Sequence, residues 1–185
     1  MTVTVAVITH DRFKKLQHIL YVIGEQTIQP DRVVIYASGY SHEQIQVLKN
    51  MYPEYGLVIC PDKKDWGHTK RAEALADCET DYIVTMNDDD QYPFVFLEYM
   101  LGHAKTSNAD IVYCDFATRT NPDFFISAKL ERGHITNGCM LIKQSVARSV
   151  PYDQRVYAGD WFFVEECIKR NVVFSKLGKC LFFAY

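Results

Sequence analysis

Residues 3–8 (VTVAVI) are β-branched and almost wholly apolar, the pattern of a strand buried on both faces of a sheet. A turn at Thr9-His10-Asp11 follows. From Arg12 to Gln26 the apolar side chains Phe13, Leu16, Ile19, Leu20 and Ile23 recur at the spacing of one helix face, so this stretch is predicted to be a helix covering the sheet. The unit then repeats. Residues 32–36 form a second apolar run, Ala37-Ser38-Gly39-Tyr40 a loop, 42–51 a helix and 56–60 a third short strand. Gly67 precedes a helix predicted over 68–77, and the run YIVTM at 82–86 is a fourth strand that leads directly into Asn87-Asp88-Asp89-Asp90. Strands alternating with helices at these spacings predict an α/β fold with a mostly parallel, doubly wound sheet.

Beyond Pro93 a helix is predicted over 94–105 and a strand over 111–114. The regular alternation then fades: 121–123 reads as a turn, 124–128 and 139–142 as strands, and 160–170 as a helix. No repeat, linker or low-complexity stretch divides the chain, so its 185 residues are read as one domain whose second half is shaped for a second ligand. A hydrophobic share of 48% is ample for one core.

Charge changes the picture little. The net charge is -3, and Lys and Arg are scattered apart from short pairs such as Lys14-Lys15, Lys63-Lys64 and Lys70-Arg71, which speaks against a basic face for nucleic acid. Six cysteines fall at wide spacings without a C-x-x-C pair, as reduced core thiols of a cytosolic protein do. There is no basic leader followed by an apolar stretch, and no apolar run approaches the ~20 residues of a membrane span. A soluble, cytoplasmic protein without a transmembrane segment is therefore expected.

The strongest chemical signal is the run Asp88, Asp89 and Asp90 after an apolar strand, at the carboxyl edge where open α/β sheets bind ligands. Adjacent carboxylates repel one another unless a cation neutralises them, and hard oxygen ligands suit Mg2+ or Mn2+ bridging to substrate phosphates. The plain alternative is a solvated acidic turn before a helix N-terminus, where negative charge is favoured anyway. Thr9-His10-Asp11-Arg12 lies at another carboxyl edge, where Thr9 or Asp11 acting as a helix cap explains the residues equally well. Gly67 allows close backbone approach, and Lys70 or Arg71 beyond it can meet a diphosphate, although a solvated helix start accounts for the same charges. Late in the chain, Gly159-Asp160-Trp161 puts a carboxylate beside an aromatic ring. Asp160 is a candidate general base toward an acceptor hydroxyl and Trp161 a stacking face for a sugar. On residue physics alone, a capping Asp beside a packed Trp is the better account of that trio. None of the six histidines falls in an H-x-x-x-H or H-E-x-x-H pattern, so a zinc site has little support.

Taken in order, these segments resemble the inverting family 2 glycosyltransferases with the GT-A fold, over essentially the whole chain. VAVITHDR at 5–12 is similar to the opening strand and turn of that family, V-V-I-P-T-Y-N-R, and Gln26-Thr27 with the strand 33–36 resembles its second unit. Gly67, Lys70-Arg71 and Leu75 resemble the G-x-x-x-A-R-N-x-G-L helix, YIVTMNDDDQYP the acidic segment, and Gly159-Asp160-Trp161 the E-D-W motif. The resemblance implies a Rossmann-like GT-A domain over 1–185, with 1–115 the nucleotide-sugar half and 116–185 the acceptor side. It implies metal-dependent, inverting transfer of a sugar from a nucleotide-diphosphate donor to an acceptor hydroxyl. Thr9, His10, Asp11, Arg12, Ser38, Gly67, Lys70, Arg71 and Asp88 are then expected around the donor nucleotide. Asp89, helped by Asp88 or Asp90, is expected to hold Mn2+ or Mg2+ across the two phosphates. Asp160 is the expected base, with Gly138 and Trp161 on the acceptor side.

The chain departs from that pattern at three places. Ala37-Ser38 stands where relatives often carry an acidic pair that contacts the base, which leaves the nucleotide open. Asn87 stands where many carry the first Asp of a D-x-D motif, which leaves the register of metal contacts open by one residue. The chain stops at Leu181-Phe182-Phe183-Ala184-Tyr185, where relatives usually continue into a loop over the donor; a homo-oligomer or partner chain completing that side is one expectation. The acceptor is open among glycan, lipid carrier, protein and modified nucleic-acid base. Two other readings use the same residues. A nucleotidyltransferase on a sugar phosphate usually has a Gly-rich phosphate loop after strand 1, missing here. A non-catalytic nucleotide-sugar-binding module is at odds with the retained Asp160 and acidic run.

Overall fold

The computed structural model describes residues 1–119, 124–152 and 157–185; the turn predicted at 121–123 lies outside them. Strands β1 (Val3–His10), β2 (Arg32–Ser38), β3 (Gly56–Ile59) and β4 (Tyr82–Asn87) run parallel in the order β3-β2-β1-β4. β1 tolerates a central place because five of its eight side chains are apolar and all but His10 at its end are buried. Helices α1 (Phe13–Gly24), α2 (His42–Met51) and α3 (His68–Ala76) follow β1, β2 and β3. α1 buries Leu16, Ile19, Leu20 and Ile23 as its periodicity predicts, and α2 opens with a reciprocal cap between Ser41 and Gln44.

Past β4 the sheet becomes mixed. α4 (Phe96–Ser107) leads to β5 (Ile111–Thr118), the hub of the second half. Antiparallel to β5 lie β6 (Phe125–Ile126) and β7 (Met140–Lys143), and parallel to it lies β8 (Phe174–Ala184). β7 also pairs antiparallel with β4 and so joins the two halves. Among the described residues four ladders are parallel and three antiparallel, so the parallel expectation holds for the first half and gives way at β7. Two elements were not legible in the sequence pattern: the short helix α5 (Gln144–Ser149), and β8. The middle of β8, Gly178 to Cys180, is exposed, and its register against β5 shifts twice around Asp115, so no period of two survives. The last helix, α6 (Gly159–Lys169), begins one residue before its predicted start.

Two packing features set the frame of the site. Gln26, buried just past α1, donates from Nε2 to the Pro93 carbonyl (3.0 Å) and accepts at Oε1 from the Leu97 amide (3.1 Å), which pins the loop after the acidic run. Gly138, in a 3-10 turn at Asn137–Cys139, is buried: a Cβ there would lie 2.5 Å from the Phe182 ring and 2.7 Å from the Tyr92 hydroxyl. Packing thus accounts for Gly138. Gly138→Ala is expected to lower the melting temperature by roughly 3–10 °C through overpacking. Calorimetry giving an unchanged value would mean that Phe182 and Tyr92 yield freely.

All six cysteines are unpaired, five of them buried and Cys180 exposed. Among the described residues no helix is long and apolar enough to cross a membrane.

Candidate functional site

β1 and β4 are neighbours, but the chain leaves them toward opposite sides of the sheet, β1 to β2 and β4 to β5 beyond β7. The crevice at their carboxyl ends is a topological switch point. Register places both loops at that edge: Ile8 aligns with Asn87, and the Asp88 amide donates to the Ile8 carbonyl at 3.3 Å. Thr9 Oγ1 donates to Asp88 Oδ2 at 2.6 Å. The Arg12 guanidinium brackets the acidic run, 2.6 Å from Asp88 Oδ1 and in contact with Asp89 Oδ2. Behind them the Tyr40 hydroxyl meets Thr9 Oγ1 and accepts from the Arg12 amide at 3.2 Å.

These contacts dispose of the capping accounts. Arg12 is itself the N-cap of α1, without a side-chain cap bond, and Thr9 is engaged with Asp88. α4 begins only at Phe96, with Val95 as its N-cap, so the acidic run does not sit at a helix N-terminus. Asp11 is exposed with φ +44°, and its amide donates to the Ser38 carbonyl at 3.1 Å, closing the gap between the β1 and β2 ends.

The three carboxylates occupy different environments. The side chain of Asp88 has no solvent exposure, and that burial raises its pKa against the opposing pull of Thr9 and Arg12. Its Oδ1 lies close to Arg12 but lacks a well-aligned hydrogen bond. Asp90 accepts at Oδ2 from Asn87 Nδ2 (2.7 Å) and at Oδ1 from the Tyr185 amide (3.2 Å), and burial pushes its carboxyl up to about 7. Asp89 is 24% exposed and lines the cleft. Asn87 is a neutral bridge: its Oδ1 accepts from Arg71 at 2.5 Å while its Nδ2 donates to Asp90.

α3 forms the facing wall. Gly67, at φ +80°, is its N-cap, and a Cβ there would come within 2.9 Å of Ile8, so glycine permits both the turn and the close approach to β1. Lys70 and Arg71 are 4% and 8% exposed, which rules out a merely solvated helix start. Lys70 Nζ donates to Ser38 Oγ at 2.7 Å, and its burial lowers its pKa. His10 Nδ1 lies 3.1 Å from the same Ser38 oxygen and 3.4 Å from Asp62. Thr9, His10, Asp11, Arg12, Gly67, Lys70, Arg71, Asn87, Asp89 and Asp90 line one open cleft of about 720 Å³, together with Asp62, Lys63, Lys64, Trp66 and Tyr185.

Asp160 stands in the first turn of α6, whose N-cap is Ala158, so it is not the capping residue. It is half-buried, and its Oδ1 accepts from the Trp161 amide at 2.9 Å. It acts electrostatically on His68 and Tyr152. His68 is fixed from both ends: Nε2 donates to the Tyr157 carbonyl (3.2 Å) and Nδ1 accepts from the Tyr152 hydroxyl (3.2 Å). Burial lowers the His68 pKa, followed in weight by Arg71, and keeps the ring neutral as that pairing requires. The Trp161 ring, offered by sequence as a stacking face, is half-buried against the core.

Sequence reasoning did not single out Tyr40, His68, Trp66 or Tyr185 as site residues. Each is a lone polar or aromatic residue in a loop or at an element end, where no periodicity marks it. Tyr185 arrives because Phe183 bridges to Gln91 beside the acidic run.

A parallel half-sheet with charge gathered at its switch point, joined through one reversed strand to a second half carrying Asp160, defines a GT-A glycosyltransferase fold. The chain belongs to glycosyl transferase family 2, whose model matches residues 4–164. It is 26% identical over 136 residues to the uncharacterized glycosyltransferase YwdF of Bacillus subtilis (strain 168), covering 70% of this chain and 49% of that protein. The chain thus spans about half the length of that curated relative. Among solved structures, S. aureus TarS matches with a TM-score of 0.81 at 14% identity, over 100% of this chain and 36% of that one. The mannosyltransferase PcManGT from Pyrobaculum calidifontis, in complex with GDP-Man and Mn2+, matches at 0.73 and 15% identity, over 98% of this chain and 56% of that one. Glucosyl-3-phosphoglycerate synthase from Mycobacterium tuberculosis, in complex with Mn2+, uridine-diphosphate and phosphoglyceric acid, matches at 0.72 and 12% identity, over 98% and 69%. These structural likenesses establish the fold.

Proposed function

We propose that this chain transfers a sugar from a nucleoside-diphosphate donor to an acceptor hydroxyl, inverting the anomeric centre with the help of a divalent cation. The observation that carries this reading is the meeting of Thr9, Arg12, Asp88 and Asp89 at the β1/β4 switch point, across one cleft from the buried Lys70 and Arg71. Support also comes from structural neighbours whose complexes contain GDP-Man or uridine-diphosphate together with Mn2+. Six unpaired cysteines agree with a reducing, cytoplasmic setting.

Mg2+ or Mn2+ fits the residues at hand. Asp88 Oδ1 is a buried carboxylate oxygen without an aligned donor, and Asp89 beside it opens to the cleft. Among the described residues no three acidic, His or Cys side chains converge on one point. The protein would therefore offer Asp89 with Asp88, the one or two carboxylates that these ions take when substrate phosphates complete their shell. When bound, the cation neutralises charge on the leaving nucleoside diphosphate.

The chain's own residues do the rest. Lys70 and Arg71 set fixed positive charge on the facing wall, where charge develops on the leaving phosphate. Asp160 takes the proton of the acceptor hydroxyl while its oxygen bonds to the anomeric carbon, and the bond from that carbon to the diphosphate oxygen breaks on the opposite face. One displacement inverts the centre.

Incubation with Mn2+ and a panel of nucleotide sugars is expected to release nucleoside diphosphate from at least one donor, with the product's inverted configuration read by NMR. Release of pyrophosphate would instead indicate a nucleotidyltransferase, and binding without turnover a nucleotide-sugar-binding module.

A further inference from the structure

Two exposed aromatic rings stand between the cleft and the segment carrying Asp160. Trp66 lines the cleft and is 57% exposed; Tyr157, three residues before Asp160, is 75% exposed. Their centroids lie 5.5 Å apart with planes at 79°, so the rings form an open corner, not a closed stack. Neither residue is loosely placed. Trp66 has a left-handed backbone, φ +55°, which a bulky residue adopts only when its surroundings impose it. Asp65 imposes it by accepting from the amides of Gly67 (3.1 Å) and Thr69 (2.9 Å), and Arg71 by donating to the Trp66 carbonyl (2.7 Å). The Tyr157 carbonyl accepts from His68 Nε2, so both rings are tied to the start of α3.

We propose that Trp66 and Tyr157 form the acceptor subsite and that its occupant is a pyranose ring, which makes the acceptor a glycan. This deepens the transferase reading and rests on it for the word acceptor. A pyranose has apolar C–H faces that stack on an indole and a rim of hydroxyls that can reach a tyrosine hydroxyl. Its puckered thickness fills a right-angled corner on two sides, whereas a flat nucleobase stacks on one face only. A lipid chain needs a continuous apolar groove, and the neighbours of Trp66 along the cleft rim are Asp62, Lys63 and Lys64. The corner joins the cleft rim, which Trp66 lines, to Tyr157, three residues before Asp160 in the chain, and so links the donor cleft to the segment of the proposed base.

Indole fluorescence can report the corner, because the chain has two tryptophans and Trp161 is half-buried. The full chain is titrated with cellotriose, chitotriose and maltotriose, without nucleotide or metal. At least one is expected to shift the fluorescence. Trp66→Ala and Tyr157→Ala are each expected to weaken that binding at least ~tenfold by calorimetry, the scale of one aromatic face. Trp66→Phe keeps a stacking face and should retain binding, which separates stacking from a fold defect. The proposal is overturned by no response to any trisaccharide, by unchanged affinity in Trp66→Ala, or by a Trp66 response to UDP or GDP but not to the sugars. Trisaccharide binding without nucleoside-diphosphate release from any donor supports the glycan corner and overturns only the transferase reading.

Discussion

Replacing Asp160 by Asn is expected to lower the transfer rate at least a hundredfold while the melting temperature moves by no more than roughly 3 °C. The rate loss is that of a missing general base, roughly 10²- to 10⁴-fold, because an amide cannot take a proton at neutral pH. The small stability change follows from the geometry. Ala158, not Asp160, is the N-cap of α6, so no cap is lost. Among the described residues Asp160 accepts from the Trp161 amide, a bond that the amide oxygen of Asn can also accept. What remains is a charge near a helix N-terminus, about 0.3–1 kcal/mol. The paired readout is nucleoside-diphosphate release and calorimetry. A near-native rate would make Asp160 structural. Glu165 and Glu166 on the same helix would then be tested next, although they already pair with Lys169 and Arg170.

Asp89→Ala is expected to weaken Mn2+-dependent binding of a nucleoside diphosphate by at least ~100-fold, equivalent to about 2.7 kcal/mol. Asp89 is the more exposed of the two carboxylates of the run that line the cleft, and among the described residues its ion pair is with the partly exposed Arg12, a type of pair that contributes about 0–1 kcal/mol to stability. The fold should therefore hold. Asp88→Ala is the poorer test, because it strips Arg12 and Thr9 of a fully buried partner and mixes unfolding with lost binding. Excess chelator on the wild type should reproduce the Asp89→Ala loss in titration calorimetry. Affinity that survives the chelator would refute the metal role.

Much of the first half was legible because burial on both faces leaves continuous apolar strands and a helix at one face leaves a 3.6-residue period. β1, α1, β2 and β4 fall within two residues of their predicted bounds. The second half was less legible. β5 runs on to Thr118, four residues past its predicted end, and β8 hides behind a bulged register and exposed Gly178, Lys179 and Cys180.

The residue types alone set out the chemistry on offer: three adjacent carboxylates after a buried strand can hold a cation, and a glycine before Lys70-Arg71 allows close backbone approach beside two cationic side chains. Which alternative each residue serves was decided by tertiary structure. Thr9, Asp11 and Asp160 are all plausible caps as sequence, and each lost that role only when the helix starts at Arg12 and Ala158 were fixed. Arg12 meets the acidic run from 77 positions away because β1 and β4 lie side by side in register. The Trp66–Tyr157 corner forms because His68 ties the Tyr157 carbonyl to α3 across 89 positions. Local pattern reports a residue's own burial and backbone preference, whereas a site is a set of distances between segments, and those are fixed by sheet order and register.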